Sequence, residues 1–208
     1  MASLNAISEA LQKGKADEVK TLVSAALEEK VDAKKVLEEG LIAGMDIIGG
    51  RFKRNEIYIP EVLIAARAMH AGMSILEPIL VESGVKMIGK VAIGTVKGDL
   101  HDIGKNLVAM MYKGAGFDVD DLGVDVPAEK YVAAADDGAD IVGLSALLTT
   151  TMVQMKGVIE SLKEKGSKAK ILIGGAPVTQ NYCDEIGASG YAADAATAVE
   201  VGKALITA

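Results

Sequence analysis

The chain has 208 residues, half of them hydrophobic, 3% aromatic and none Trp, with 22 basic against 29 acidic side chains and a formal net charge of −7. That is apolar material for one large or two small packed domains, and acidic residues spread along the chain without a Lys/Arg block exclude a charge-driven nucleic-acid binder. One cysteine, Cys183, permits no internal disulfide, the opening MASLNAISEALQKGK has no signal-peptide core, and no apolar run approaches the roughly 20 residues of a membrane span, so a cytoplasmic protein is expected.

From residue 3 to about 82 the apolar positions recur at helical spacing. Leu4, Ile7 and Leu11 predict a first helix ended by Gly14, and Val19, Leu22, Val23 and Ala26 a second. Asp32 is placed to cap a third, carrying Leu37, Leu41, Gly44 and Ile48. After GGRFKRNEIYIP a fourth opens at Pro60, and its Val62, Ala66, Met69, Met73, Leu76 and Leu80 share a face. Four amphipathic helices with short connections predict a helical bundle over residues 1–85.

Beyond the polar link ESGVKMIGK the period changes. Short apolar runs at 91–96, 117–123, 140–145, 169–175 and, more weakly, 189–194 alternate with helical stretches whose starts are marked by Asp102, Pro127, Thr149 to Thr151, Val178 and Asp194. The repeat predicts an α/β domain over residues 90–208, a flavodoxin-like (Rossmann-like), doubly wound parallel sheet of five strands.

Such sheets bind ligands outside the carboxyl ends of their strands, where strand order reverses. GDLHDIGKN follows the first strand, SALLTTT the third and GGAPV the fourth, so all three are placed at one end of the sheet. In GDLHDIGKN, residues i and i+2 of an extended loop point the same way, which lets Asp99 accept a hydrogen bond from one ring nitrogen of His101 and leave the other for a metal. Gly104 allows close approach at the helix start. Alternatively Asp102 caps the helix while Asp99 and His101 are merely solvated. There is no second His, Cys or carboxylate cluster for an ordinary metal site, so His101 as ligand implies a metal already held by a macrocycle. The loop also lacks the patterns of a phosphate cradle. Ser145, Thr149, Thr150 and Thr151 supply hydroxyls, while Gly143, Ala146, Gly174, Gly175 and Ala176 leave a narrow slot or, alternatively, permit close packing.

Asp99-x-His101-x-x-Gly104, then Ser145-x-Leu147, then Gly174-Gly175 resemble the signature of the cobalamin-binding domain. The preceding GGRFKRNEIYIPEVLIAARAM stretch resembles the helical cap of methionine synthase and of the small corrinoid proteins of methyltransferase systems. The resemblance implies cobalamin (methylcobalamin/cob(I)alamin or a related corrinoid) bound by Asp99, His101, Asp102, Ile103 and Gly104, with His101 as lower axial ligand to cobalt. It implies a nucleotide tail against Ser145, Leu147, Thr149, Gly174, Gly175, Tyr191 and Asp194, and places Tyr58 and Leu63 on the cap face. The role it implies is a methyl carrier between a substrate-specific methyltransferase and a second methyltransferase with a folate or thiol acceptor, served by a reductive activator.

In that role the bundle must move, with Gly84 and Gly89 as the hinge. Three rivals follow from the same residues. They are a cobalamin-dependent sensor, for which no DNA-binding module is visible, the binding subunit of a mutase, and a flavodoxin-like receiver that leaves Asp99 and His101 without purpose. His70, most of the nine methionines and Cys183 are read as packing or surface residues.

Overall fold

In the computed structural model, which describes residues 3–83 and 87–207, the helical periodicity of the first eighty residues becomes four packed helices. Helix α1 (Leu4–Gln12) closes at Gly14, whose φ of +68° is left-handed, and α2 (Ala16–Glu28) follows. The third is continuous but changes pitch: α3 (Ala33–Lys35), a π-helical stretch Val36–Ile42, then α4 (Ala43–Lys53). Asp32 caps it as its position predicts, accepting the Lys34 and Lys35 amides at 2.8 and 3.2 Å. Helix α5 (Ile59–Glu82) opens with Pro60 in its first turn. Ile7, Leu11, Val19, Val23, Leu41, Ile48, Val62 and Leu76 form the common core.

One expectation is corrected here. By length and composition Ile59–Leu80 is long and apolar enough to cross a membrane. Its apolar Val62, Ala65, Met69, Leu76 and Leu80 are buried, whereas Glu61, Arg67, His70 and Glu77 point outward. This is the two-faced pattern of a bundle helix.

The chain divides into two compact units, Met1–Ile88 with Lys113–Gly116, and Gly89–Tyr112 with Phe117–Ala208. Of the two glycines expected at a hinge, Gly84 lies outside the described residues. Gly89 precedes β1 and its carbonyl accepts the Asp118 amide at 3.0 Å.

After the four helices the chain forms β1 (Lys90–Val96), α6 (Ile103–Gly114), β2 (Asp118–Val126), α7 (Ala128–Asp136), β3 (Ile141–Ser145), α8 (Thr149–Met152), α9 (Gln154–Glu164), β4 (Lys170–Gly174), α10 (Gln180–Ile186), β5 (Gly190–Ala192) and α11 (Ala195–Thr207). The five strands are parallel in the order β2-β1-β3-β4-β5, the flavodoxin-like arrangement. Helix α10 starts two residues after Val178, because Thr179 caps it and Val178 is buried in the core.

Register decides which side chains share a face. Thr95, Ser145, Gly174 and Ala192 are mutual neighbours along the carboxyl edge, and Ile93, Gly143, Leu172 and Gly190 form the row beneath. This face is lined mostly by small residues. The opposite face carries Val142, Leu144, Ile171 and Ile173, packed with Tyr131, Met155, Ile159, Cys183 and Ile186.

Candidate functional site

The loop after β1 is built around a buried carboxylate. Asp99 has no exposed side-chain surface, whereas the His101 side chain is 51% exposed, and His101 Nδ1 lies 2.7 Å from Asp99 Oδ1. The same oxygen accepts the His101 amide at 3.1 Å. Asp99 Oδ2 accepts the Thr151 hydroxyl at 2.6 Å and the Leu147 and Leu148 amides at 2.8 and 3.3 Å. Burial works against ionisation, but the hydrogen bonds donated by Thr151, the Leu147 amide and His101 outweigh it and hold the carboxyl well below the usual carboxylate range. The reading of Asp99 as a solvated residue is thereby removed.

An ionised carboxylate cannot donate, so at 2.7 Å the hydrogen of the Asp99–His101 contact belongs to Nδ1. In neutral imidazole that leaves the lone pair on Nε2, on the half-exposed ring. The loop is fastened at further points: Thr95 Oγ1 donates to the His101 carbonyl at 2.8 Å, and Asp125 on β2 contacts Gly98 and Asp99. Lys105, 3% exposed, is paired through Nζ with Asp121 of β2, which ties the first turn of α6 to the sheet.

Around the imidazole the surface is open and apolar. Leu100 and Ile103 are 71% and 78% exposed, Leu147, Leu148 and Val153 are also exposed, and a Cβ added to Gly104 would meet nothing within 4 Å. Asp102 is exposed and its carboxylate accepts Asn106 Nδ2 at 3.1 Å.

The slot residues behave less uniformly than their small size predicts. Ser145 and Gly174 are neighbours at the carboxyl edge and half-buried. Gly175, at φ +125°, is exposed, and a Cβ there would stand 1.9 Å from the Ala146 carbonyl oxygen, so the position has no room for a side chain. In the second row, Ile93 packs over Gly143 and Val201 over Gly190, which confines the opening to the edge. Thr149 is exposed at the start of α8, two residues before the Thr151 that binds Asp99. Tyr191 packs on the opposite, apolar core, and the Asp194 carboxylate caps α11 by accepting the Thr197 amide and hydroxyl, both at 2.8 Å. In the other unit, Tyr58 and Leu63 are exposed at the start of α5 beside exposed Ile59 and Ile64.

Thr95, Asp125 and the Lys105–Asp121 pair were not singled out from the sequence, and Thr151 was named as a hydroxyl of its loop without its partner Asp99. The only signal for Thr151 was its hydroxyl in SALLTTT.

A B12 binding domain family matches residues 89–200, and a second B12 binding domain family matches residues 3–77. The chain belongs to the B12-binding corrinoid proteins of methyltransferase systems. It is 42% identical to a corrinoid protein of Desulfitobacterium hafniense, covering 99% of this chain and 98% of that one. It is 43% identical to the dimethylamine corrinoid protein of Methanosarcina barkeri, covering 98% and 97%. Among solved structures, the methanol:cobalamin methyltransferase complex of Methanosarcina barkeri matches with TM-score 0.88 and 33% identity over 98% of this chain and 79% of that one. A cobalamin-binding protein of Desulfitobacterium hafniense matches with TM-score 0.80 and 31% identity over 98% of both chains.

The cofactor of this corrinoid protein is cobalamin. The residues present suit it. One outward imidazole, an apolar rim and a glycine with open space above it would suit a metal whose remaining ligands come from a macrocycle, and among the described residues no group of three His, Cys, Asp or Glu could hold a bare ion.

Proposed function

We propose that the protein carries cobalamin with His101 as the lower axial ligand of cobalt and delivers a methyl group between two methyltransferases. The observation that carries this reading is the His101 geometry: Nδ1 committed to a buried, ionised Asp99, with the rest of the ring half exposed. When bound, the cofactor supplies the cobalt that accepts and releases the methyl group. The chain's own part is to bind, orient and tune. Asp99 holds the imidazole tautomer, and the Thr151, Leu147 and Leu148 donors keep Asp99 ionised. Ser145 and Gly174, neighbours at the carboxyl edge, offer a hydroxyl and a short side-chain gap where a nucleotide tail would enter.

A substrate-specific methyltransferase loads the carrier, a second one with a folate or thiol acceptor unloads it, and a reductive activator restores it after oxidation. The relatives named for dimethylamine and the methanol-specific complex support the first of these partners. A cytoplasmic setting belongs to the same reading. Tyr58 and Leu63, exposed at the start of α5, are proposed as cap residues toward the cofactor.

Reconstitution with hydroxocobalamin tests the ligand. Wild-type protein should take up one equivalent and show the base-off, histidine-on visible spectrum, and His101→Ala should lose that spectrum. Retention of benzimidazole under cobalt in the wild type would overturn the reading. Addition of a folate- or thiol-dependent methyltransferase to the methyl-loaded protein should demethylate it.

A further inference from the structure

Strand β2 is longer than the neighbour it pairs with because it takes in two extra residues. Ile93 pairs with Asp121, Gly94 with Gly123 and Val96 with Val126, so the register slips twice near its carboxyl end. Each slip is a bulge, and the left-handed residues lie in this stretch: Gly123 at φ +88° and Asp125 at φ +52°. Glycine takes that conformation freely, whereas an aspartate there is uncommon and is held by its surroundings.

What holds it is the histidine loop. The Gly98 amide donates to Asp125 Oδ1 at 2.7 Å, and the Asp125 amide donates to the Asp99 carbonyl at 3.0 Å. Gly98, at φ +82°, is turned to present its amide. Asp99 is therefore gripped from two strands: its carboxylate from the loop after β3, and its backbone from the bulge in β2.

We propose that Asp125 is a positioning residue for the cobalt ligand: by clamping Gly98 and Asp99 it fixes the direction in which the His101 ring leaves the loop. Its hydrogen bonds go to the backbone of Gly98 and Asp99, and it acts through them. The proposal rests on the reading of His101 as axial ligand. Its alternative is that the Asp125 contacts merely finish an edge strand, with the loop already fixed by Thr95 and Asp99.

Three variants separate these. Asp125→Asn keeps an acceptor and tolerates the left-handed backbone, Asp125→Gly relaxes the backbone but removes the acceptor, and Asp125→Ala does both kinds of damage. In cofactor-free protein the Gly98 amide should exchange with solvent faster in Asp125→Gly than in wild type and Asp125→Asn, while the thermal midpoint of Asp125→Gly is unchanged or raised. With hydroxocobalamin, Asp125→Gly and Asp125→Ala should bind about tenfold more weakly, the effect expected for loss of one hydrogen bond to a charged acceptor, with a smaller histidine-on fraction. Asp125→Asn should stay within about twofold of wild type.

Unchanged Gly98 exchange in Asp125→Gly, or wild-type affinity and spectrum in that variant, would overturn the clamp. If instead the wild-type protein never shows the histidine-on spectrum, the axial-ligand reading fails by itself. The exchange measurement on cofactor-free protein then still decides whether Asp125 holds the loop.

Discussion

The Asp99 carboxylate and the Thr151 hydroxyl meet at 2.6 Å although 52 residues of chain separate them. This bond joins the loop after β1 to the start of α8 and leaves the carboxylate one oxygen to spend on His101. Replacing Thr151 by Val removes the donor at nearly constant volume. The cofactor-free protein should lose about 2 kcal/mol of unfolding free energy, the range for a hydrogen bond to a buried charge. Thr151→Ser should restore most of it, and equal denaturant midpoints for the two variants would refute the role assigned to the hydroxyl.

Asp99→Asn keeps the shape but cannot accept all the hydrogen bonds it inherits, since one amide position is a donor facing the Leu147, Leu148 and Thr151 donors or the His101 ring. We expect a loss of roughly 2–3 kcal/mol in chemical denaturation. A weakened histidine-on spectrum should accompany it, because the imidazole loses the acceptor that sets its tautomer.

The acid side of the stability curve should report the same group. The folded-state pKa of Asp99 lies below its unfolded value, so its contribution is fully present above a pH of about 4 and is lost as pH falls toward the folded value. Midpoints of cofactor-free wild type and Asp99→Asn, compared from pH 6 down to pH 3, should converge as the medium is acidified. Parallel curves over that range would contradict the assignment.

Two glycines of the motif should answer substitution in opposite ways. A side chain at Gly104 meets open space, so Gly104→Leu should leave the cofactor-free protein as stable as wild type, or more stable by about 0.5 kcal/mol from helix propensity, yet impair cobalamin uptake. Gly175→Ala must fit a Cβ 1.9 Å from the Ala146 carbonyl at φ +125°, and should destabilise the fold by roughly 3 kcal/mol or more before any cofactor is added. Thermal midpoints and cobalamin titrations on the two variants check both signs.

Much of this was legible in residue order because the signals are local. Helical spacing from Leu4 to Leu80, the cap at Asp32, and apolar runs alternating with helices depend on neighbours a few residues apart, and each became the expected element. The i and i+2 placement of Asp99 and His101 is equally local, and their contact at 2.7 Å follows from it. The close approach of Gly175 to the Ala146 carbonyl was not legible, since glycine is equally suited to a slot or a close crossing, whereas Asp194, expected near a helix start, does cap α11.

The sequence by itself determined the two periodicities, the strand–helix alternation and the short loop that offers a histidine beside an aspartate. Only the tertiary structure decided that Asp99 is buried and ionised, because its donors come from Leu147, Leu148 and Thr151, brought to it by the crossover that lays β3 beside β1. The double register slip that turns Asp125 onto Gly98 was decided in the same way, since register is a property of two paired strands and is written in neither alone.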